Sequence, residues 1–254
     1  ADVVQMSPAS TNPRLTQSGI DTLFRITGRD DRQGTFAGPW LAEHFAGKKV
    51  AVLDDGSAYG RQVASETARA MEAAGLPPAI RTQYSPTSGN YAALIAELQA
   101  AQIAAVYLGG YHDSIGVFVR QVREKGSDAQ IFGADALNTM EFVTIAGPAS
   151  DGTMFTNAAE LRNVPAAKQV VAHFRSDGWE PEGYTLSAYA AIEVWAQAAR
   201  KAGTTDAAAV AAALRDSVWP SAIGEVDFDE TGDLTNAAYT WYRFQNGTYG
   251  EAGS

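Results

Sequence analysis

The stretch 103–126, IAAVYLGGYHDSIGVFVRQVREKG, constrains the fold more than any other. It opens on a short apolar run, 104–108, that has too few residues for a helix. Gly109 and Gly110 break the run, and Tyr111, His112 and Asp113 follow. From Asp113 the period changes: Ile115, Phe118, Val119 and Val122 fall at i, i+3, i+4 and i+7, one face of a helix. Asp113 reads as its N-cap and Gly126 as its stop. A buried strand, a glycine turn and an amphipathic helix in succession form the repeating unit of a parallel α/β sheet. Such sheets bind ligands beyond the carboxyl ends of their strands, and Tyr111 stands at that point.

The unit recurs along the chain. Residues 48–54, KKVAVLD, read as a buried strand that ends in DDGSAYG, with a helix stopping at Gly75. A third strand is expected over 79–84, followed by a helix from Asn90 to about residue 101. A strand at 130–133 leads into ADALNTMEF, where Asp135 stands just past the strand end, and 152–157 reads as a further strand. Before these units, 2–6 reads as a strand, 7–13 as loop, 23–26 as a short extended piece, and a helix is expected to end near Phe45. After them the alternation loosens. Helices are expected at 165–177, 184–201 and 206–217, then strands at 224–228 and 238–244, with Asn246-Gly247 as a hairpin turn.

Composition narrows the function. The chain of 254 residues is 46% hydrophobic, so it can bury a core and is not a disordered segment. The net charge of −10 and the absence of a basic stripe argue against a nucleic-acid partner. There are no cysteines, which excludes disulfides, thiolate chemistry and Cys-ligated metals. No run is long enough for a membrane span, and the first residues show no signal-peptide core. Catalytic motifs are also missing: no dinucleotide fingerprint, no Walker A loop, no His-Glu-x-x-His, and a serine misplaced for a nucleophile elbow in 56–60. His44 and His173 read as helix-surface residues, and His112 as a helix-start residue, with a site role beside Tyr111 as the alternative. Asp54 and Asp55 read as helix caps or solvated turns. No catalytic residue, metal site or cofactor is expected.

What remains is a set of aromatic and small polar groups near strand ends: Ser10, Thr11, Tyr59, Tyr111, Asp135 and Tyr184. A zwitterion is held by such groups: N–H donors and hydroxyls for its carboxylate, a carboxylate for its ammonium, and aromatic faces for the rest. Each tyrosine taken singly reads as core or rim packing, and only the set together points to a pocket; Asp135 reads equally as the N-cap of a following helix.

Ordered motifs carry a resemblance: SPASTNPRLT at 7–16, FRITGRDDRQG at 24–34, AYG at 58–60, YLGGY at 107–111, FGADA at 132–136, AYAAIEVWAQA at 188–198 and GEVDFDETGDL at 224–234. In order and spacing the chain resembles the periplasmic branched-chain amino-acid binding proteins of ABC transporters, over about residues 6–249. The resemblance implies a type I periplasmic binding protein fold of two doubly wound α/β lobes joined by three crossings, with an amino acid in the cleft. Residues 1–28 and 158–237 would form lobe one, and 29–157 and 238–254 lobe two. Ala9, Ser10 and Thr11 match part of the family's carboxylate-binding loop, Asp135 the acidic residue that holds the α-ammonium, and Tyr59, Tyr111 and Tyr184 the aromatic wall. The implied function is capture of a branched-chain or other apolar amino acid outside the cytoplasm and its delivery to an ABC permease, without catalysis. Other expectations on the same fold are a binder of another small carboxylate or amide and a sensory ligand-binding domain. Compared with the family pattern, the chain starts inside lobe one, so that lobe is expected to be short of strands, with self-association through the incomplete lobe. Gly28, near the first crossing, reads either as a position whose backbone conformation only glycine tolerates or as an ordinary flexible loop residue.

Overall fold

The computed structural model of the chain describes residues 3–252. The strand expected from residue 2 therefore begins outside the described residues at Asp2, and within them it is shorter. The chain divides into two compact units. Unit one comprises 1–29 and 158–238, and unit two comprises 30–157 and 239–254.

Unit two is built on a seven-stranded sheet. Its strands are β3 (Lys49–Asp54), β4 (Ile80–Gln83), β5 (Ile103–Gly109), β6 (Gln130–Gly133), β7 (Met154–Ala158), β10 (Tyr239–Gln245) and β11 (Thr248–Glu251), in the order β11-β10-β7-β6-β5-β3-β4. The pairings from β4 through β3, β5 and β6 to β7 are parallel, and β10 and β11 form an antiparallel hairpin. The helices are α1 (Asp30–His44), α2 (Ala58–Ala73), α3 (Ala92–Ala100), α4 (His112–Glu124) and α5 (Met140–Ala146). Alternation along β5 shows why both sheet faces are covered. Val106 and Leu108 enter one apolar cluster with Ile115, Phe118 and Val119 of α4, while Ala105 and Tyr107 enter the other with Val63 and Ala68 of α2. Successive side chains on a strand point to opposite faces, so a continuous apolar run feeds two cores. Full burial of a side chain such as Phe118 is worth about 1.5–3 kcal/mol.

Unit one contains β1 (Gln5–Ser7) and β2 (Leu23–Arg25), a parallel pair, together with the antiparallel pair β8 (Trp219–Ser221) and β9 (Gly224–Val226). Around them pack α6 (Lys168–Ser176), α7 (Thr185–Ala202) and α8 (Ala207–Arg215). Phe24 and Ile26 meet Ala190, Val194, Val210 and Leu214 in one core. The turn 229–233 lies alongside β2: the Arg25 N–H donates to the Gly232 carbonyl at 2.8 Å. Gly232 has φ +87°, and a Cβ there would come within 2.4 Å of the Leu23 carbonyl oxygen. Only glycine satisfies both the left-handed backbone and this approach.

Several sequence expectations need correction. The N-cap of α4 is Tyr111, not Asp113; Asp113 sits in the first turn and its carboxylate accepts from the Ser114 N–H. The strand expected at 224–228 stops at Val226, and Phe228 joins Leu234 only through an isolated bridge. Gly28 is not among the residues with positive φ, so its backbone demands no glycine. Asp55 is buried rather than solvated, and the cap of α2 is Ser57, whose hydroxyl accepts from the Gly60 N–H.

Candidate functional site

Three of the expected residues come together in unit two. Asp135 follows β6 as the first residue of a 3-10 turn, Asp135–Leu137, and is 5% exposed. It does not cap α5; Thr139 does, accepting from the Glu141 N–H. Instead the Asp135 carboxylate accepts a hydrogen bond from the Tyr59 phenol at 2.8 Å, and the same phenol oxygen accepts from the Ala136 N–H at 3.2 Å. Tyr59 belongs to the first turn of α2, beyond β3, and Tyr111 caps α4, beyond β5. Their rings lie 5.2 Å apart at 38°. Strand ends, not chance, assemble the group: β3, β5 and β6 are neighbours in the sheet, and each residue comes from the turn or helix start that follows its strand.

The electrostatics of this corner are negative. Desolvation first, then the carboxylates of Asp55, Asp135 and Asp30, hold the Tyr111 phenol above its usual range. Deeper in, burial pushes the Tyr107 phenol up strongly; the Thr67 hydroxyl opposes this, and Asp135 and Asp30 add to it. The carboxylate part of these shifts favours a cation nearby, while the larger desolvation part disfavours any charge. Tyr111 remains 46% exposed, so its ring presents an aromatic face to solvent beside a buried carboxylate.

Ala9, Ser10, Thr11 and Tyr184 lie in unit one. The Ser10 N–H donates to the Ser7 hydroxyl at 3.0 Å, and Ser10 is exposed. Thr11 is 4% exposed, and no hydrogen bond of its hydroxyl joins it to another described residue. Tyr184 is the N-cap residue of α7 and is partly buried. Behind the 9–12 loop stands a group that reading the sequence missed. Arg25, 0% exposed, donates to the carbonyls of Ser10 and Asn12, to the Thr16 hydroxyl and twice to Asp233 Oδ1. A charged residue inside the otherwise apolar run Leu23–Ile26 was the available signal, since arginine is almost never fully buried without a partner. The histidines stay outside both groups. His112 lies 2.7 Å from a Glu141 carboxylate oxygen, and His44 stacks on Trp40.

Comparison with known proteins fixes the lineage. The family model described as periplasmic binding protein matches residues 1–248. The chain belongs to the periplasmic binding protein family. Within it, a Leu/Ile/Val-binding protein homolog 1 of Brucella suis biovar 1 is 37% identical over 250 residues, 98% of this chain and 67% of that protein. The chain thus spans about two thirds of the length of that relative. Among solved structures, the leucine binding protein LivK of Thermotoga maritima superposes with a TM-score of 0.88 at 24% identity, covering 98% of this chain and 72% of that one. The branched-chain amino acid substrate binding protein LivJ of Streptococcus pneumoniae, in complex with isoleucine, gives 0.86 at 23% identity over 97% and 71%. The fold is the type I periplasmic binding protein fold, and the family is one of solute-binding proteins, not enzymes.

Proposed function

We propose that this chain binds a branched-chain or other apolar amino acid outside the cytoplasm and hands it to an ABC permease. The observation that carries the proposal is Asp135: a buried carboxylate at a strand end, oriented by the Tyr59 phenol, within a negative field. Such a group suits an α-ammonium, and hydrogen bonds to charged groups are the stronger ones. The Tyr59 and Tyr111 rings suit an apolar side chain. In unit one, Thr11 and the neighbouring Ala9 and Ser10 suit a carboxylate. The relatives named for leucine, isoleucine and valine support the ligand class. An aromatic acid without an ammonium would face Asp135 with like charge. No helix among the described residues is long and apolar enough to cross a membrane.

A thermal-shift screen tests the reading. At a hundredfold excess over Kd a ligand adds about 2.7 kcal/mol. For a chain of this size each kcal/mol moves Tm by roughly 2–4 °C. Apolar L-amino acids should therefore raise Tm by roughly 5–10 °C. Shifts confined to aromatic carboxylates or nucleotides would overturn the reading.

The expected self-association rests on unit one, where β1 is an edge strand and Tyr189 and Ile192 of α7 are exposed. Edge strands beside apolar surface recruit further chains. Light scattering over a concentration series should show mass rising with concentration; a constant monomer mass would remove this part of the proposal.

A further inference from the structure

We infer that Arg25, clamped by Asp233, is a positioning residue for the ligand loop at 9–12, an inference that rests on the amino-acid reading above. The geometry has three parts. First, the guanidinium is saturated: Nε and Nη2 donate to Asp233 Oδ1 at 2.8 and 2.6 Å, Nη2 to the Thr16 hydroxyl at 2.8 Å, and Nη1 to the Asn12 and Ser10 carbonyls at 2.7 and 3.2 Å. Five donors in a rigid fork meet five acceptor contacts, which lysine cannot reproduce. Second, the carboxylate is itself held. Asp233 Oδ2 accepts from Arg29 at 2.7 Å and from the Thr16 hydroxyl at 2.9 Å, and the Asp233 N–H donates to the Asp229 carboxylate at 3.0 Å. Third, both partners lie out of solvent, with Arg25 at 0% and Asp233 at 1% exposure.

Two of the five bonds end on main-chain carbonyls on either side of Thr11. A peptide plane whose carbonyl is fixed has its N–H fixed as well. Holding the Ser10 carbonyl therefore aims the Thr11 N–H, and holding the Asn12 carbonyl fixes the plane that follows. Arg25 is 0% exposed, with its donors taken by protein acceptors, and so acts through the loop rather than on a ligand directly. It acts by keeping the loop in the one arrangement that receives a carboxylate, so the ordering entropy is settled before binding. Asp233 keeps the arginine in place from a turn 208 residues further along the chain.

The test separates positioning from general stability. Arg25→Lys and Asp233→Asn are compared with Trp219→Phe, a core change elsewhere in the same unit. Each protein is titrated with the best amino acid of the screen and with its carboxamide, and hydrogen exchange of the 9–12 amides is followed without ligand. Both network variants should speed exchange of the loop and lower the preference for the carboxylate over the carboxamide roughly tenfold, as loss of one charge-assisted contact would. Trp219→Phe should lower Tm and change neither quantity. A folded Arg25→Lys or Asp233→Asn protein with loop exchange and preference like the wild type would overturn the inference. If Arg25→Lys does not fold, Asp233→Asn decides alone. If the wild type binds no amino acid, the functional reading fails on its own, and loop exchange still decides the positioning role.

Discussion

Asp135→Asn should weaken binding of the preferred amino acid roughly 10- to 150-fold, because hydrogen bonds to charged groups are worth about 1.5–3 kcal/mol. The des-amino analogue should lose little or gain, since its repulsion by the carboxylate is gone. The fold should barely notice. Asp135 caps no α-helix, and the asparagine amide oxygen can still accept from the Tyr59 phenol. Calorimetric titration of both proteins with both compounds makes the measurement. If the two proteins bind the two compounds alike, Asp135 is a structural partner of Tyr59 and the amino-acid assignment loses its main chemical support.

Gly109→Val should cost about 3 kcal/mol or more, at the upper end of overpacking effects, and lower Tm by roughly 6–12 °C. The reason is a backbone approach. A Cβ at Gly109 would lie 2.2 Å from the Gly60 carbonyl oxygen and 2.9 Å from the Ala64 Cβ; one at Gly60 would lie 2.7 Å from the Gly109 carbonyl oxygen. The first turn of α2 thus rests directly on the end of β5. This contact also brings Tyr59 and Tyr111, on either side of it in sequence, to ring distance. Gly126→Ala is the comparison: φ is +68° there with open space around it, so only the left-handed penalty of about 1–2 kcal/mol applies. Melting curves check both. A Gly109→Val protein as stable as Gly126→Ala would show that α2 can shift off the strand freely.

Local pattern carried much of unit two. The strand at 130–133 has the bounds its sequence suggests, and the helical period in 115–122 gives α4 with its buried face. These elements are legible because a buried strand and an amphipathic helix each announce themselves within a few residues. The elements that escaped lack such a signal. β8 is three residues with a proline at its centre, and it exists because Trp219 packs into the unit-one core against Val226. α5 is seven residues, shorter than the window in which a period can be read. In the site, the strand-end placement of Tyr59, Tyr111 and Asp135 followed from alternation of strands and helices, but their mutual contacts did not. The cap reading of Asp135 gave way to a phenol 76 residues away. The Arg25–Asp233 pair was further out of reach. Each residue was visible, one in an apolar run and one in a turn, and nothing local joins them.

The position of β10 bears on how a nascent chain acquires this shape. The strand hydrogen-bonds beside β7, where Tyr242 and Phe244 cover Phe155, yet all of the second segment of unit one is translated between β7 and β10. Until the ribosome has passed residue 245, β7 is an open edge beside an uncovered aromatic ring, and the sheet lacks its closing neighbour. Vectorial synthesis therefore cannot complete this half first and the other afterwards, as it can for domains strung end to end. The closing pairing spans a long loop and is slow to form, which leaves the emerging polypeptide open to holding factors until its last strands arrive.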